Sequence, residues 1–169
     1  GTASFKLQAS LSSDDDGIGG DVVTASITVT AVNDEPVINA VSDPSAILED
    51  AGAQTINLAG IGDGDADVTQ SLTVTATSSN TSLIPNPTVT YTSDNATGSL
   101  AYTPVSDING TAVITVTVTD DGGTANSGVN AKSITFTVTV TPVNDEPSFT
   151  KGSNITELED SGTSTTSGW

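Results

Sequence analysis

Two long segments of the chain alternate apolar residues with threonine. In residues 112–119 isoleucine and valine alternate with threonine, and residues 134–141 repeat the pattern with isoleucine, phenylalanine and valine. A period of two places the apolar side chains on one face of a β-strand and the threonines on the other. Threonine is β-branched and suits a pleated surface without exposing a large apolar area. The pattern therefore predicts half-buried strands, and no segment of the sequence shows helical periodicity.

Five shorter segments have similar strand character, and clusters of Gly, Asn, Asp and Pro separate them. The predicted strands cover residues 37–41, 55–59, 71–77, 88–92 and 98–103. Together with the two long segments they make seven short strands with frequent turns. This spacing predicts an all-β Greek-key sandwich of the immunoglobulin type.

A duplicated pentapeptide indicates tandem repeats. Val-Asn-Asp-Glu-Pro occurs at residues 32–36 and 143–147, so the copies start 111 residues apart (143 − 32), and Leu-Glu-Asp follows each copy at 48–50 and 158–160. One β-sandwich domain fits this period.

The period divides the chain into one whole repeat and two partial ones. We expect residues 1–36 to be the last hairpin of a preceding repeat, residues 37–147 a complete repeat, and residues 148–169 the first strand of a following repeat. A two-stranded hairpin is marginal alone. Either the rest of each flanking domain lies outside this chain, or neighbouring chains complete the flanks.

The charge of the chain is strongly negative. It has 21 acidic residues, three lysines and no arginine, which gives a net charge of −18. Such a chain repels phosphate backbones and anionic lipid headgroups, so we expect no nucleic acid partner and no direct membrane contact. The surface attracts cations instead, although acidity that serves only solubility is the simpler alternative.

Cysteine, histidine and methionine are absent. Thiolate and imidazole nucleophiles, the usual zinc and copper ligands, and disulfides are therefore excluded, and only hard oxygen ligands remain. Asp65 and Asp67 are a pair of acids, but they lie two residues apart in one predicted loop, without the aromatic residues of a glycosidase cleft. We expect no enzyme activity.

The linkers and their ordered surroundings resemble those of bacterial cadherin-like repeats, which occur in tandem in very large secreted adhesins. The two linkers are similar to the family's Asp-x-Asn-Asp-Asn-x-Pro-x-Phe pattern, and the similarity continues in Leu48-Glu49-Asp50, in Asp65-Ala66-Asp67, in residues 102–110 and in the strand that ends at Asp120. The first linker aspartate of the family is replaced by Ala31 and Pro142, and the family's Asp-Arg-Glu element is reduced to Asp107.

The resemblance implies Ca²⁺ sites where repeats meet. Calcium takes six to eight oxygens from carboxylates, amides and main-chain carbonyls in irregular geometry. At the first junction we expect Asn33, Asp34 and Glu35 to meet acids of the sandwich loops, which are Asp65, Asp67 and Asp120. At the opposite end we expect Glu49 and Asp107 to face the second linker, which supplies Asn144, Asp145 and Glu146, while Glu159 belongs to the junction beyond.

Local alternatives for these residues remain open. Asn-Asp-Glu-Pro also ends a strand in an ordinary turn, and the acids around Asp65 also suit a solvated loop. An EF-hand starting at Asp63 is excluded, because Val68 stands where glycine is required and Val74 where a bidentate glutamate is required.

The resemblance implies a calcium-stiffened repeat of a large extracellular bacterial surface protein. Such a repeat is a rod or spacer between an anchor and a ligand-binding region, and its partners are adjacent repeats. One alternative is a filament protomer that neighbouring chains complete by strand addition. Another is a glycan-binding sandwich module, although the few aromatic residues are dispersed along the chain.

Overall fold

The computed structural model describes residues 2–7, 23–66, 68–152, 154, 156, 158–160, 162 and 163. These residues form an all-β structure with nine strands and one short 3₁₀ turn at Ala125–Ser127. The strands are β1 (Thr2–Leu7), β2 (Val23–Thr28), β3 (Ile47–Leu48), β4 (Gln54–Ala59), β5 (Leu72–Ser78), β6 (Thr88–Thr90), β7 (Thr97–Tyr102), β8 (Gly110–Asp120) and β9 (Ala131–Thr141). In the part of the chain that the structure describes, no helix has the length and apolar character needed to span a membrane.

Strands β3 to β9 form a two-layer sandwich. One sheet has the order β3-β9-β8-β5 and the other the order β4-β7-β6. Consecutive strands repeatedly change sheet, so the connections are those of a Greek key of the immunoglobulin type. Only β3 pairs in parallel, with β9, while the other pairs are antiparallel. Strands β1 and β2 form a separate two-stranded antiparallel sheet.

The core lies between the two sheets of the sandwich. Its centre is on β8, where every second side chain from Ala112 to Val118 is buried, and the intervening residues are half-buried or exposed. Strand β9 contributes Phe136, Val138 and Val140 in the same manner. The rest of the buried apolar core consists of Leu58, Ile61, Leu72, Val74, Leu83, Ile84, Leu100 and Tyr102.

Most of the predicted strands are present, and the two long ones extend beyond their predicted bounds. The strand predicted at residues 37–41 is wrong: Val37 forms one isolated bridge to Gly62, and Asn39 donates its N–H to the carbonyl of Ala59. The sandwich instead gains its seventh strand at Ile47–Leu48, beside β9. This pairing depends on a distant segment, so local alternation gave no signal for it.

The assignment of the flanking segments to neighbouring repeats stays a prediction. Strands β1 and β2 form the predicted hairpin, whose predicted turn at residues 14–17 lies outside the described residues. The described residues of 148–163 contain no strand, so the predicted first strand of a following repeat is not found in that part. Phe149 and Leu158 are exposed there.

Candidate metal centre

Strand register brings three segments together at the end of the sandwich that receives the first linker. β5 pairs antiparallel with β8, and Leu72, the first residue of β5, lies opposite Asp120, the last residue of β8. The loop before β5 therefore lies beside the loop after β8. The linker joins both loops, because Val37 and Gly62 exchange backbone hydrogen bonds of 2.9 and 3.1 Å and Val129 donates its N–H to the carbonyl of Asn33 at 3.1 Å.

The linker main chain lies directly on the loop before β5. Gly64 has φ +75°, and a Cβ on this residue would overlap the carbonyl oxygen of Glu35. Only glycine combines this backbone conformation with so close an approach. Pro36, the next linker residue, is fully buried. The first copy of the pentapeptide is thus a docked segment of the sandwich.

Asn33 connects the linker to the end of β8. Its Nδ2 donates hydrogen bonds to Oδ1 of Asp120 at 3.0 Å and to the carbonyl of Val129 at 2.7 Å. Because both acceptors face the amide nitrogen, the amide orientation is fixed and Oδ1 points the other way. Asp120 is buried at 5% exposure, and its Oδ1 also accepts the N–H of Gly122 at 3.0 Å.

Three oxygen atoms at this place are buried without a hydrogen-bond partner among the described residues. They are Oδ1 of Asn33, Oε1 of Gln70 and Oδ2 of Asp120. Buried polar atoms are almost always satisfied, since an unsatisfied one costs about 1–3 kcal/mol. All three atoms are acceptors, so the group that satisfies them is a cation or a donor such as water.

Acids of the surrounding loops take part in holding the loops themselves. Asp65 accepts the N–H of Val68 at 3.2 Å and the side-chain amide of Gln70 at 3.0 Å. Asp63 accepts the main-chain N–H of Gln70 at 3.1 Å, and Asp121 accepts that of Ser71 at 2.9 Å. These bonds shape the loops, and they hold the carboxylates within the same region as the buried oxygens.

The structure brings only some of the predicted ligands of the first junction together. Asn33 and Asp120 are in direct contact. Asp65 is bonded to Gln70, whose Oε1 lies with Oδ1 of Asn33 over Gly122. Glu35 instead forms an ion pair of 2.8 Å with Lys132, while Asp34 is exposed. Asp67 lies outside the described residues. Among the described residues, no three Asp, Glu, His or Cys side chains are grouped as a metal site.

The opposite end of the sandwich holds the second linker through Glu49. This carboxylate is buried at 4% exposure, and its Oε1 accepts the N–H of Val143 at 2.8 Å. The main chain of Glu49 donates to the carbonyl of Thr141, so the linker leaves β9 along the end of β3. The other residues predicted for this end are all exposed: Asp107, Asn144, Asp145 and Glu146. Glu159, which was predicted for the junction beyond, is exposed as well. Asp107 has a left-handed backbone at φ 60°.

Two residues of the first junction were not predicted from the sequence. Gln70 supplies an unpartnered oxygen, and Gly122 leaves the space into which that oxygen and Oδ1 of Asn33 point. A cleft lined in part by Asn33, Asp65, Gln70 and Gly122 opens here to solvent. Neutral amides and single glycines carry no motif, so only the folded arrangement identifies them.

No family model matches the chain, and no curated protein matches it. Among solved structures, the chain is similar to the crystal structure of domains 4 and 5 of the S-layer protein SbsC, with a TM-score of 0.36 and 17% identity over 73% of this chain. The match spans 61% of that chain. A likeness at this level says nothing about the ligands or the role of the present chain.

Proposed function

We propose that this chain is a structural, non-enzymatic repeat of a large extracellular bacterial surface protein, and that Ca²⁺ stiffens the joints between its repeats. The repeat acts as a rod or spacer, and its partners are the adjacent repeats. The observation that carries the proposal is the bond between Asn33 of the linker and Asp120 of the sandwich, surrounded by buried oxygens that no described donor satisfies.

The chemistry of the joint favours calcium. Its available atoms are amide and carboxylate oxygens, the hard ligands that calcium accepts in irregular geometry. The chain has a net charge of −18, and exposed acids such as Asp34 and Asp145 lie on the linkers. Without a cation these charges repel one another, whereas a bound divalent ion turns neighbouring acids into shared ligands. The joint then resists bending.

The expected affinity suits an extracellular position. Extracellular calcium modules bind at about 10⁻⁴ to 10⁻³ M, so external calcium fills them and cytosolic calcium does not. At a free calcium concentration of 100 times Kd, one ion adds about 2.7 kcal/mol to the stability of the unit it bridges. Folding is therefore favoured after export.

Thermal unfolding of the 169-residue chain tests the proposal. The experiment compares calcium with a chelator at matched ionic strength, and magnesium is the control because it needs near-octahedral geometry and keeps its waters. We expect the midpoint of thermal unfolding to rise with calcium concentration and to fall back to its calcium-free value when the chelator is added. Magnesium should raise the midpoint much less. The same midpoint in calcium and in chelator would contradict the proposal.

A second candidate function is a filament protomer. Strands β1 and β2 form a sheet of only two strands, and Ile27 of β2 is 57% exposed. A strand donated by a neighbouring chain would cover this surface. Sedimentation of the purified chain over a range of concentrations separates the candidates, because a spacer stays monomeric and a protomer assembles into a series of oligomers.

A further inference from the structure

We infer that Gln70 is a ligand of an inner cation site, which it forms with Asn33 and Asp120, and that Gly122 keeps this site open. The site takes a hard divalent cation through two neutral amide oxygens and one carboxylate oxygen. The inference rests on the proposed function, since it names the ligands of the ion at the first joint. Gln70 belongs to none of the motifs that carry the family resemblance.

The burial of Gln70 is the first argument. A glutamine side chain is normally exposed, yet Gln70 is only 6% exposed. Its Nε2 donates to Oδ2 of Asp65 at 3.0 Å, which fixes the amide and turns Oε1 away from that carboxylate. Oε1 is then buried with no hydrogen-bond partner among the described residues. A buried, oriented and unsatisfied carbonyl oxygen is a preformed ligand.

The convergence of two amides is the second argument. A Cβ built on Gly122 would overlap Oδ1 of Asn33 and lie 2.5 Å from Oε1 of Gln70. The two oxygens therefore lie side by side over Gly122, and they come this close because residue 122 has no side chain. The main-chain N–H of Gly122 does not satisfy them, since it is bonded to Oδ1 of Asp120. Two acceptors that share a space without a donor repel each other unless a positive group lies between them.

The charges at the site are the third argument. Two amides and the Asp120 carboxylate carry a single negative charge, and the neighbouring carboxylates Asp65 and Asp121 are fixed by bonds to the loop. A divalent cation is attracted by the three carboxylates together, while the amides add oxygen ligands without further repulsion. This donor set suits calcium in a site of modest affinity.

The origin of the ligands gives the site a consequence. Asn33 comes from the linker, Gln70 from the loop before β5, and Asp120 from the end of β8. The cation site is complete only when the linker is docked, so the bound ion and the docked linker stabilise each other.

Calorimetric titration of CaCl₂ into the chelator-treated chain tests the inference through Gly122→Ala. The φ of Gly122 is open to any residue, so the added methyl group brings no backbone strain. It overlaps Oδ1 of Asn33 and crowds Oε1 of Gln70, and so displaces both oxygens from the site. We expect this variant to lose one ion from the stoichiometry or to bind it at least about tenfold more weakly. Gly52→Ala is the matched control, because its Cβ meets nothing within 4 Å, and it should bind like the wild type.

Gln70→Glu supplies an independent test that keeps the shape of the side chain. The new carboxylate faces Asp65, so the chelated variant should melt below the wild type, and calcium should raise its midpoint by more than it raises that of the wild type. If Gln70 has a purely structural role, Gln70→Glu should lower the unfolding midpoint by the same amount with and without calcium. Calcium binding by the wild type together with unchanged binding by both site variants would overturn the inference and leave the proposed function intact. If the wild type itself binds no calcium, both proposals fail.

Discussion

Asn33 Nδ2 donates a hydrogen bond of 3.0 Å to Oδ1 of Asp120, across 87 residues of sequence. The first residue belongs to the duplicated linker and the second to the last position of β8. This bond holds the linker on the sandwich and leaves the remaining oxygens of both side chains buried and unpaired among the described residues.

Asp120→Asn should keep the hydrogen bond to Asn33 and abolish calcium binding at the inner site. The asparagine keeps an oxygen for the bonds to Asn33 and Gly122, and its N–H₂ replaces the unpaired Oδ2 and removes the buried negative charge. We expect the chelated variant to be as stable as the wild type or more stable, by up to about 1.5 kcal/mol, the range of one hydrogen bond. Calcium should no longer raise its unfolding midpoint. A loss of stability in chelator with a retained calcium effect would contradict the role given to Oδ2.

Glu49 should stabilise the opposite end of the sandwich through its bond to Val143. Glu49→Ala leaves the N–H of Val143 without its partner and opens space in a buried place, so we expect a loss of about 1–3 kcal/mol in urea unfolding. Glu49→Gln keeps an acceptor of the same shape and should lose much less. Hydrogen exchange at the Val143 amide provides the local readout, and it should become faster in the alanine variant only.

Neighbouring residues of β8 should differ sharply in their effect on stability. Ile114 has 0% exposure in the core, whereas Val113 is 40% exposed on the outer face. Ile114→Ala should lower the free energy of unfolding by about 2–5 kcal/mol because it removes buried methyl groups and leaves a cavity. Val113→Ala should change it by about 0.5 kcal/mol or less. Similar losses in chemical denaturation of the two variants would show that the register of β8 is wrong.

Tyr102 should make the fold sensitive to alkaline pH. Burial raises the pKa of Tyr102 above its ordinary value of 10.0, because the charged phenolate is poorly solvated in the core. The unfolded chain then loses its phenolic proton at lower pH than the folded chain does. Stability should be unaffected below pH 10.0 and should fall as the pH rises through the folded pKa.

Tyr102→Phe removes this ionisation and provides the control. Its free energy of unfolding should fall less steeply above pH 10.0 than that of the wild type, as measured by denaturant titration at successive pH values. Equal slopes for the two proteins would assign the alkaline sensitivity to other groups. Tyr91 also has a raised pKa, from burial and from the charge of Asp94, so a residual slope is expected.

The sequence predicted those features of the fold that depend on local pattern. Strands β8 and β9 follow from alternation because one face of each lies on the core. The short strand Ile47–Leu48 did not follow, since two residues carry no periodicity and the pairing with β9 is fixed by tertiary contacts. Residues 37–41 are mostly apolar, but the segment forms only the bridge from Val37 to Gly62 and the bond from Asn39 to Ala59 among the described residues.

The candidate site was predictable only where motifs mark it. The duplicated linker indicated Asn33, and the family resemblance indicated Asp120. In the structure these two side chains are in contact. Glu35 illustrates the limit, because its partner Lys132 lies 97 residues away and no local pattern indicates that ion pair. Gln70 and Gly122 were not predicted either, because the first is marked by an unsatisfied oxygen and the second by the close approach of two side chains to its backbone.

The central claim is that calcium stiffens the joint between the β1-β2 hairpin and the sandwich. The chain has no cysteine, so two can be introduced for spin labels without any background. One label is placed at Ser26→Cys on β2 and the other at Thr75→Cys on β5, both at exposed positions. A Thr75→Cys, Thr111→Cys pair within the sandwich is the control, and its distances should not respond to calcium.

Pulsed electron–electron double resonance then gives the distribution of distances between the two spin labels in calcium and in chelator. The account predicts a narrow distribution for the Ser26 and Thr75 pair in calcium and a broad one in chelator, with the change reversed on exchange. It also predicts that Gly122→Ala keeps the distribution broad in both conditions. Identical distributions in calcium and chelator, with an unchanged control pair, would contradict the claim that calcium locks this joint.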